Sequence, residues 1–291
     1  MTLSTAELAE ERQRGRIAGA VTIAAGVLIG VGTFWSLVIN RDRPSGDAES
    51  LRFFHEHASQ QVAASIIRAV GFLALIATVI YLQRAIKARK PEFPTAAFVL
   101  GIFGCLAFAA GTVGQAVALQ SQANDFVVQS FTSAHAADEA AKDAARETWP
   151  LVTGIAAFAG TLALAFWFVL GSLNAMRVGL LTRFIGVLGI IVGPGFVFGF
   201  APPVMVFWLI AVGILFLGRW PRGLPPAWES GEARPWPSRE AIEAHAEQLE
   251  SAGGSRNGEV EAVGPGVREA DEDPEPAAQS PSPKRKRKRR R

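Results

Sequence analysis

Four long apolar runs constrain this chain more than any other feature. A helix rises 1.5 Å per residue, so about 20 apolar residues cross roughly 30 Å of hydrocarbon. Residues 17–39, 62–82, 96–119 and 149–173 each meet that length. Runs of this length and composition predict membrane-spanning helices. The chain is therefore read as all-α and polytopic, embedded in a membrane.

A fifth region, residues 184–217, is apolar throughout and too long for one ordinary span. "GPGFVFGFAPP" lies in its middle. Gly193, Pro194, Gly195, Gly199, Pro202 and Pro203 do not fit inside one straight helix. Two short helices joined near residues 199–203 are predicted, giving a six-helix transmembrane bundle. A re-entrant pair is the alternative, and it leaves the following segment on the same side. The first run is too long for the apolar part of a signal peptide, and no small-x-small cleavage site follows "WSLVIN".

Orientation follows from the basic residues of the short loops. Arg12, Arg14, Arg16, Arg84, Lys87, Arg89, Lys90, Arg177, Arg183, Arg219 and Arg222 fall on one side. Arg41, Arg43, Arg52, Lys142 and Arg146 fall on the other. The first set marks the cytoplasm, so both termini are expected inside, at the plasma membrane. Trp35, Trp149 and Trp220 lie near span ends, where amphipathic rings favour the headgroup zone.

Three domains follow: residues 1–16 as a cytoplasmic N-terminal segment, 17–218 as the bundle, and 219–291 as a mostly disordered cytoplasmic tail. The N-terminal segment carries a capping box, with Ser4 as cap and Glu7 reaching back. It lies on the inner surface or continues into the first span. In the first outer loop Leu51, Phe54, Ala58, Gln61 and Val62 recur at helical spacing, predicting an amphipathic helix that feeds the second span. The second outer loop is alanine-rich from Ala136 onward, and is expected to extend the fourth span outward. In the tail, "GRWPRGLPPAWESGEARPWPSRE" mixes proline and tryptophan without a period, which argues against regular structure. Ser238 caps a predicted short polar helix beyond it.

The tail ends in Lys284, Arg285, Lys286, Arg287, Lys288, Arg289, Arg290 and Arg291. On a cytoplasmic face this run is drawn to anionic lipid headgroups, at about 1 kcal/mol per basic residue. Lipid contact leads; a solvated tail that also pairs with its own acidic stretch, residues 269–275, comes second, and nucleic acid last.

Chemistry is sparse elsewhere. Cys105 is the only cysteine, so no intrachain disulfide or cysteine-based metal site exists, and its apolar run marks it as a core filler. His55 and His57 stand two residues apart, which on a helix turns them about 200° from one another. No acid–base or nucleophilic constellation is visible, so no cofactor, metal or catalytic residue is expected and an enzyme ranks last. No Asp or Glu lies within the spans, against an ion-coupled pump. Gly26 with Gly30, Gly189 with Gly193 and Gly195 with Gly199 form GxxxG pairs, read as packing within one chain.

Two polar residues inside the spans are the candidate site: Arg68 in the second and Gln115 in the third. Arg68 is six residues past Val62, about 9 Å into the span. A side chain reaching about 6 Å brings its head toward the outer interface. Two readings stand. Arg68 is a snorkelling anchor, or it faces the bundle, pairs with Gln115, Asp143 or Glu147, and meets an anionic group.

"RGRIAGAVTIAAGVLIG", the loop leading to "SIIRAVGFLALIATVIYL", and "MRVGLLTRFIGVLGIIVG" resemble a bacterial family of six-helix integral membrane proteins of unknown function. In that family an arginine opening the first span is similar to Arg16, one near the outer start of the second resembles Arg68, and a hydrophobic-proline-arginine turn before the fifth resembles residues 181–184. Thr182 stands here where that proline is usual. The resemblance covers about residues 14–218 and implies a six-helix bundle without an activity. The expected function is non-enzymatic: sensing, scaffolding or membrane organisation. A permease-like carrier or channel for a small or lipidic molecule is the alternative.

Overall fold

The computed structural model describes residues 4–144, 148–221 and 223–235. Eight α-helices occur among them: α1 (Thr5–Ile39), α2 (Asp47–Arg89), α3 (Thr95–Val127), α4 (Ala134–Ala144), α5 (Thr148–Arg177), α6 (Arg183–Phe198), α7 (Ala201–Phe216) and α8 (Pro226–Ser230). A 3₁₀ turn, Asn40–Asp42, joins α1 to α2. Among the described residues no strand occurs. Helices α1, α2, α3 and α5 are long and apolar enough to cross a membrane, whereas α6 and α7 are shorter apolar helices.

Local chemistry sets the helix ends. Ser4 Oγ accepts from the Glu7 amide while the Glu7 carboxylate accepts from the Ser4 amide at 2.8 Å, so the capping box is formed and α1 runs unbroken into the first apolar run. Thr182 caps α6 by accepting from the Ile185 amide. Gly199 closes α6 at φ +80°, a conformation other residues adopt only with strain, and Pro202 and Pro203 sit in the first turn of α7. The apolar stretch from residue 184 to 217 is thus two helices and a tight turn.

The six apolar helices close into a ring. α1 packs on α2, α2 on α3, α3 on α5, α5 on α6, α6 on α7, and α7 back on α1. Its centre is filled by aromatic side chains. Phe72 meets Phe108 at 4.4 Å between ring centroids, and Phe168 meets Trp208 at 5.1 Å. Leu75, Val79, Leu164 and Phe168 are fully buried around them. Cys105 belongs to this core. Polar bonds tie neighbours together: Thr22 and Thr78 hydroxyls meet at 2.7 Å across α1 and α2, and Trp208 Nε1 donates to the Ile185 carbonyl. Such bonds between helices in lipid are worth about 0.6 kcal/mol on average.

The bundle has a basic end, where α1 begins and α7 finishes, and a far end. At the far end α2 outruns the apolar run. Its 43 residues rise about 64 Å. The predicted amphipathic turns are there, with Leu51, Phe54 and Ala58 buried. Leu51 and Phe54, with Ala48, build a second small core with Ala123 and Phe126 of α3 and Ala137 and Ala141 of α4. The alanine-rich loop is helical, as α4, and its alanine face packs against α2 and α3; residues 145–147, between α4 and α5, lie outside the described residues.

One expectation is corrected at the start of the tail. Residues 224–235 fold under the basic end. Trp228 of α8 is buried, and its Nε1 donates to the Leu180 carbonyl at 2.8 Å. Arg89 holds it there. Its guanidinium forms paired bonds to Glu11 at 2.8 and 3.0 Å, donates twice to the Ala227 carbonyl, and lies over the Trp228 ring. Proline breaks the period here, yet two aromatic and backbone anchors suffice to order the segment. The predicted helix after Ser238 and the basic run at residues 284–291 lie outside the described residues.

Candidate functional site

Arg68 lies on α2 one level from Gly32 of α1. A Cβ built on Gly32 would stand 2.8 Å from the Arg68 amide nitrogen and 2.7 Å from the Ala64 carbonyl oxygen. Glycine is required there for the two helices to approach. That contact fixes which way α2 faces. Ile66 and Val70 turn outward and are nearly half exposed, while Arg68 turns inward, its Nε buried.

Arg68 and Gln115, picked out separately in the sequence, line one half-open pocket of about 130 Å³. Gln61, Ser65, Thr112 and Gln120 complete its polar wall, and Ser36 of α1 contributes from the third side. Arg68 and Gln115 do not hydrogen-bond to each other. Ser65 and Thr112 donate to carbonyls of their own helices, Val62 and Ala109. Their lone pairs remain, but their protons are used.

Two donors inside this wall have no acceptor: Arg68 Nε and Gln61 Nε2. Leaving a buried donor unmade costs about 1–3 kcal/mol, more when it is charged. No carboxylate lines the pocket, and among the described residues Arg68 forms no ion pair. Asp143, an expected partner, does not line the pocket. Glu147, the other, lies outside the described residues. The pocket is therefore a cationic, donor-rich hollow with a missing acceptor, a chemistry that suits an anion.

Arg68 also lines a second hollow of about 140 Å³ directly over the aromatic centre of the ring. Phe72, Phe108 and Phe196 form its floor, and Gly199 and Pro202 of the α6–α7 turn form one rim. The turn thus ends at the level of Arg68. Gln115 and Leu119, in turn, are shared with a wider apolar groove of about 510 Å³ between α3 and α5. Gln115 and Arg68 stand between the three hollows.

Ser65 and Thr112 escaped the sequence reading, and Gln61 was read only as part of the amphipathic face before the second span. Gln61, Ser65 and Arg68 are spaced four and three residues apart, one face of a helix, and Thr112 precedes Gln115 by three. That periodicity was the available signal. The histidine pair faces elsewhere: His55 Nδ1 meets Asn124 Oδ1 at 2.8 Å and His57 Nδ1 meets the Phe53 carbonyl.

No protein-family model matches this chain, and no curated protein or solved structure matches it.

Proposed function

We propose that this chain is a six-span, non-enzymatic plasma-membrane protein that senses or holds an anionic group at Arg68, with both termini cytoplasmic. One observation carries the reading: Arg68 Nε and Gln61 Nε2 are buried without acceptors in a single pocket that no carboxylate lines. In this topology the basic end faces the cytoplasm, and the pocket opens toward the outside. The excess of arginine and lysine at the basic end supports that orientation. The tail's basic run, residues 284–291, would then meet anionic headgroups of the inner leaflet.

Binding is favoured over transport by what lies beneath the pocket. Phe72, Leu75, Val79, Phe168 and Trp208 fill the ring centre with at most 1% exposure. A carrier would have to part these contacts in every cycle. The test is flux. Liposomes holding the full chain should take up inorganic phosphate, and scramble a fluorescent anionic lipid, no faster than protein-free liposomes. Flux that falls on Arg68→Gln would overturn the binding reading in favour of the permease-like alternative.

A further inference from the structure

The hollows around Arg68 differ in polarity, and their arrangement follows from unequal helix lengths. α6 and α7 have 16 residues each and end at the level of Arg68. α1, α3 and α5 continue past that level. Above the α6–α7 turn the ring therefore has a gap between α5 and α1. Apolar side chains face it: Leu151, Ile155 and Phe158 on α5 and Phe34 and Leu37 on α1 are each more than half exposed. The groove between α3 and α5 runs from Pro150, at the start of α5, inward to Phe158, about 12 Å along the helix.

From this arrangement we propose that the far end is a lipid site: it receives an anionic phospholipid of the surrounding leaflet, its headgroup phosphate at Arg68, Gln61 and Gln115 and its acyl chain along the α3–α5 groove. The proposal rests on the anion-binding reading above and names the ligand. Charge complementarity selects the headgroup. A guanidinium and three carboxamides, those of Gln61, Gln115 and Gln120, line the pocket with no carboxylate, and phosphate supplies acceptor oxygens for the unmatched donors. The small polar pocket holds a headgroup and little more. Leu119 and Gln115 border both hollows, so a chain attached to that headgroup passes over them into the groove. Gly154 keeps the passage open, since a side chain there would begin 3.3 Å from the Gln115 amide nitrogen. A soluble anion would use the pocket but leave the groove without a role.

The experiment is lipid retention by the full chain in nanodiscs of mixed phosphatidylglycerol and phosphatidylcholine, followed by detergent release and native mass spectrometry. Bound phosphatidylglycerol should exceed its share of the bilayer. Arg68→Gln should lower that retention about tenfold, as expected for losing charge-assisted bonds. Gly154→Leu, which fills the groove and leaves the headgroup pocket in place, should lower it comparably. Arg41→Gln, an exposed cation outside the site, should not. Equal retention by wild type, Arg68→Gln and Gly154→Leu overturns the proposal. A parallel arm offers inorganic phosphate alone. If phosphate binds in an Arg68-dependent way while Gly154→Leu has no effect on lipid, the site takes free anions: the lipid proposal fails and the anion-binding reading survives. If neither phosphate nor anionic lipid responds to Arg68→Gln, both fail. Should Arg68→Gln not fold, Gln61→Leu with Gly154→Leu gives the same comparison.

Discussion

Gly32 and Gly30 stand half a turn apart on α1, and substitution separates what each one does. At Gly32 a new Cβ would lie within 3 Å of backbone atoms of α2, which cannot rotate away. At Gly30 it would meet only the Val206 methyls, at 3.4 and 3.5 Å, an ordinary contact. Gly32→Ala should therefore cost about 1–3 kcal/mol through forced separation of α1 and α2. Gly30→Ala should stay within about 0.5 kcal/mol. Unfolding of both variants in one detergent, followed by tryptophan fluorescence, checks the difference; equal stabilities would refute the account of the α1–α2 seam. The sequence exposed Arg68 as a cation inside an apolar run, because charge in lipid is conspicuous whatever the fold. It did not expose which way Arg68 points. That depends on Gly32, whose role exists only once α1 lies against α2. The GxxxG pair that was legible, Gly26 and Gly30, serves the α7 contact instead.

Among the elements, α2 and α4 show where periodicity suffices and where it stops. Leu51, Phe54 and Ala58 announced a buried helical face before any partner was known, and α2 buries that face. The alanine-rich segment announced a helix, and α4 is one. Alanine runs have high helix propensity on any axis, and α4 is placed by tertiary contacts that spacing does not encode. One is a cap supplied from outside the helix that needs it. The N-cap of α2 is Gly46, which has no side chain, and Asp138 Oδ1 of α4 accepts from the Ala48 amide at 3.2 Å. A carboxylate there also complements the positive end of the α2 dipole. Asp138→Ala should weaken this docking by about 1 kcal/mol. Hydrogen exchange should accelerate at residues 134–144 and in the first turn of α2, and stay unchanged in α5 and α7. Uniform acceleration across the bundle would contradict a local capping role. The turn at α8 was missed for a related reason: Trp228 is held by the Leu180 carbonyl and Arg89, partners far away in the chain.

For the whole molecule, the count of apolar helices came from length and hydropathy alone, while the closed ring did not. Ring closure needs α7 to return to α1, a pairing set by side chains nearly two hundred residues apart. Whether α6 and α7 cross the bilayer turns on depth. Sixteen residues rise about 24 Å, less than the roughly 30 Å of hydrocarbon. Thinning of the bilayer beside the hairpin, with the gap above it occupied by a headgroup, reconciles a full crossing with that shortfall. The α6–α7 turn should then be reachable from outside. In a Cys105→Ala background, which removes the only thiol from a buried site, single cysteines at Phe198, Thr132 and Arg219 report the three relevant surfaces. A membrane-impermeant maleimide added to intact cells should label Phe198→Cys and Thr132→Cys, and label Arg219→Cys only after permeabilisation. Protection of Phe198→Cys from the outside, with Thr132→Cys still labelled, would make α6–α7 a re-entrant pair. Labelling of Arg219→Cys alone would invert the protein, place the Arg68 pocket on the cytoplasmic side, and move its lipid to the inner leaflet, where anionic headgroups are also found.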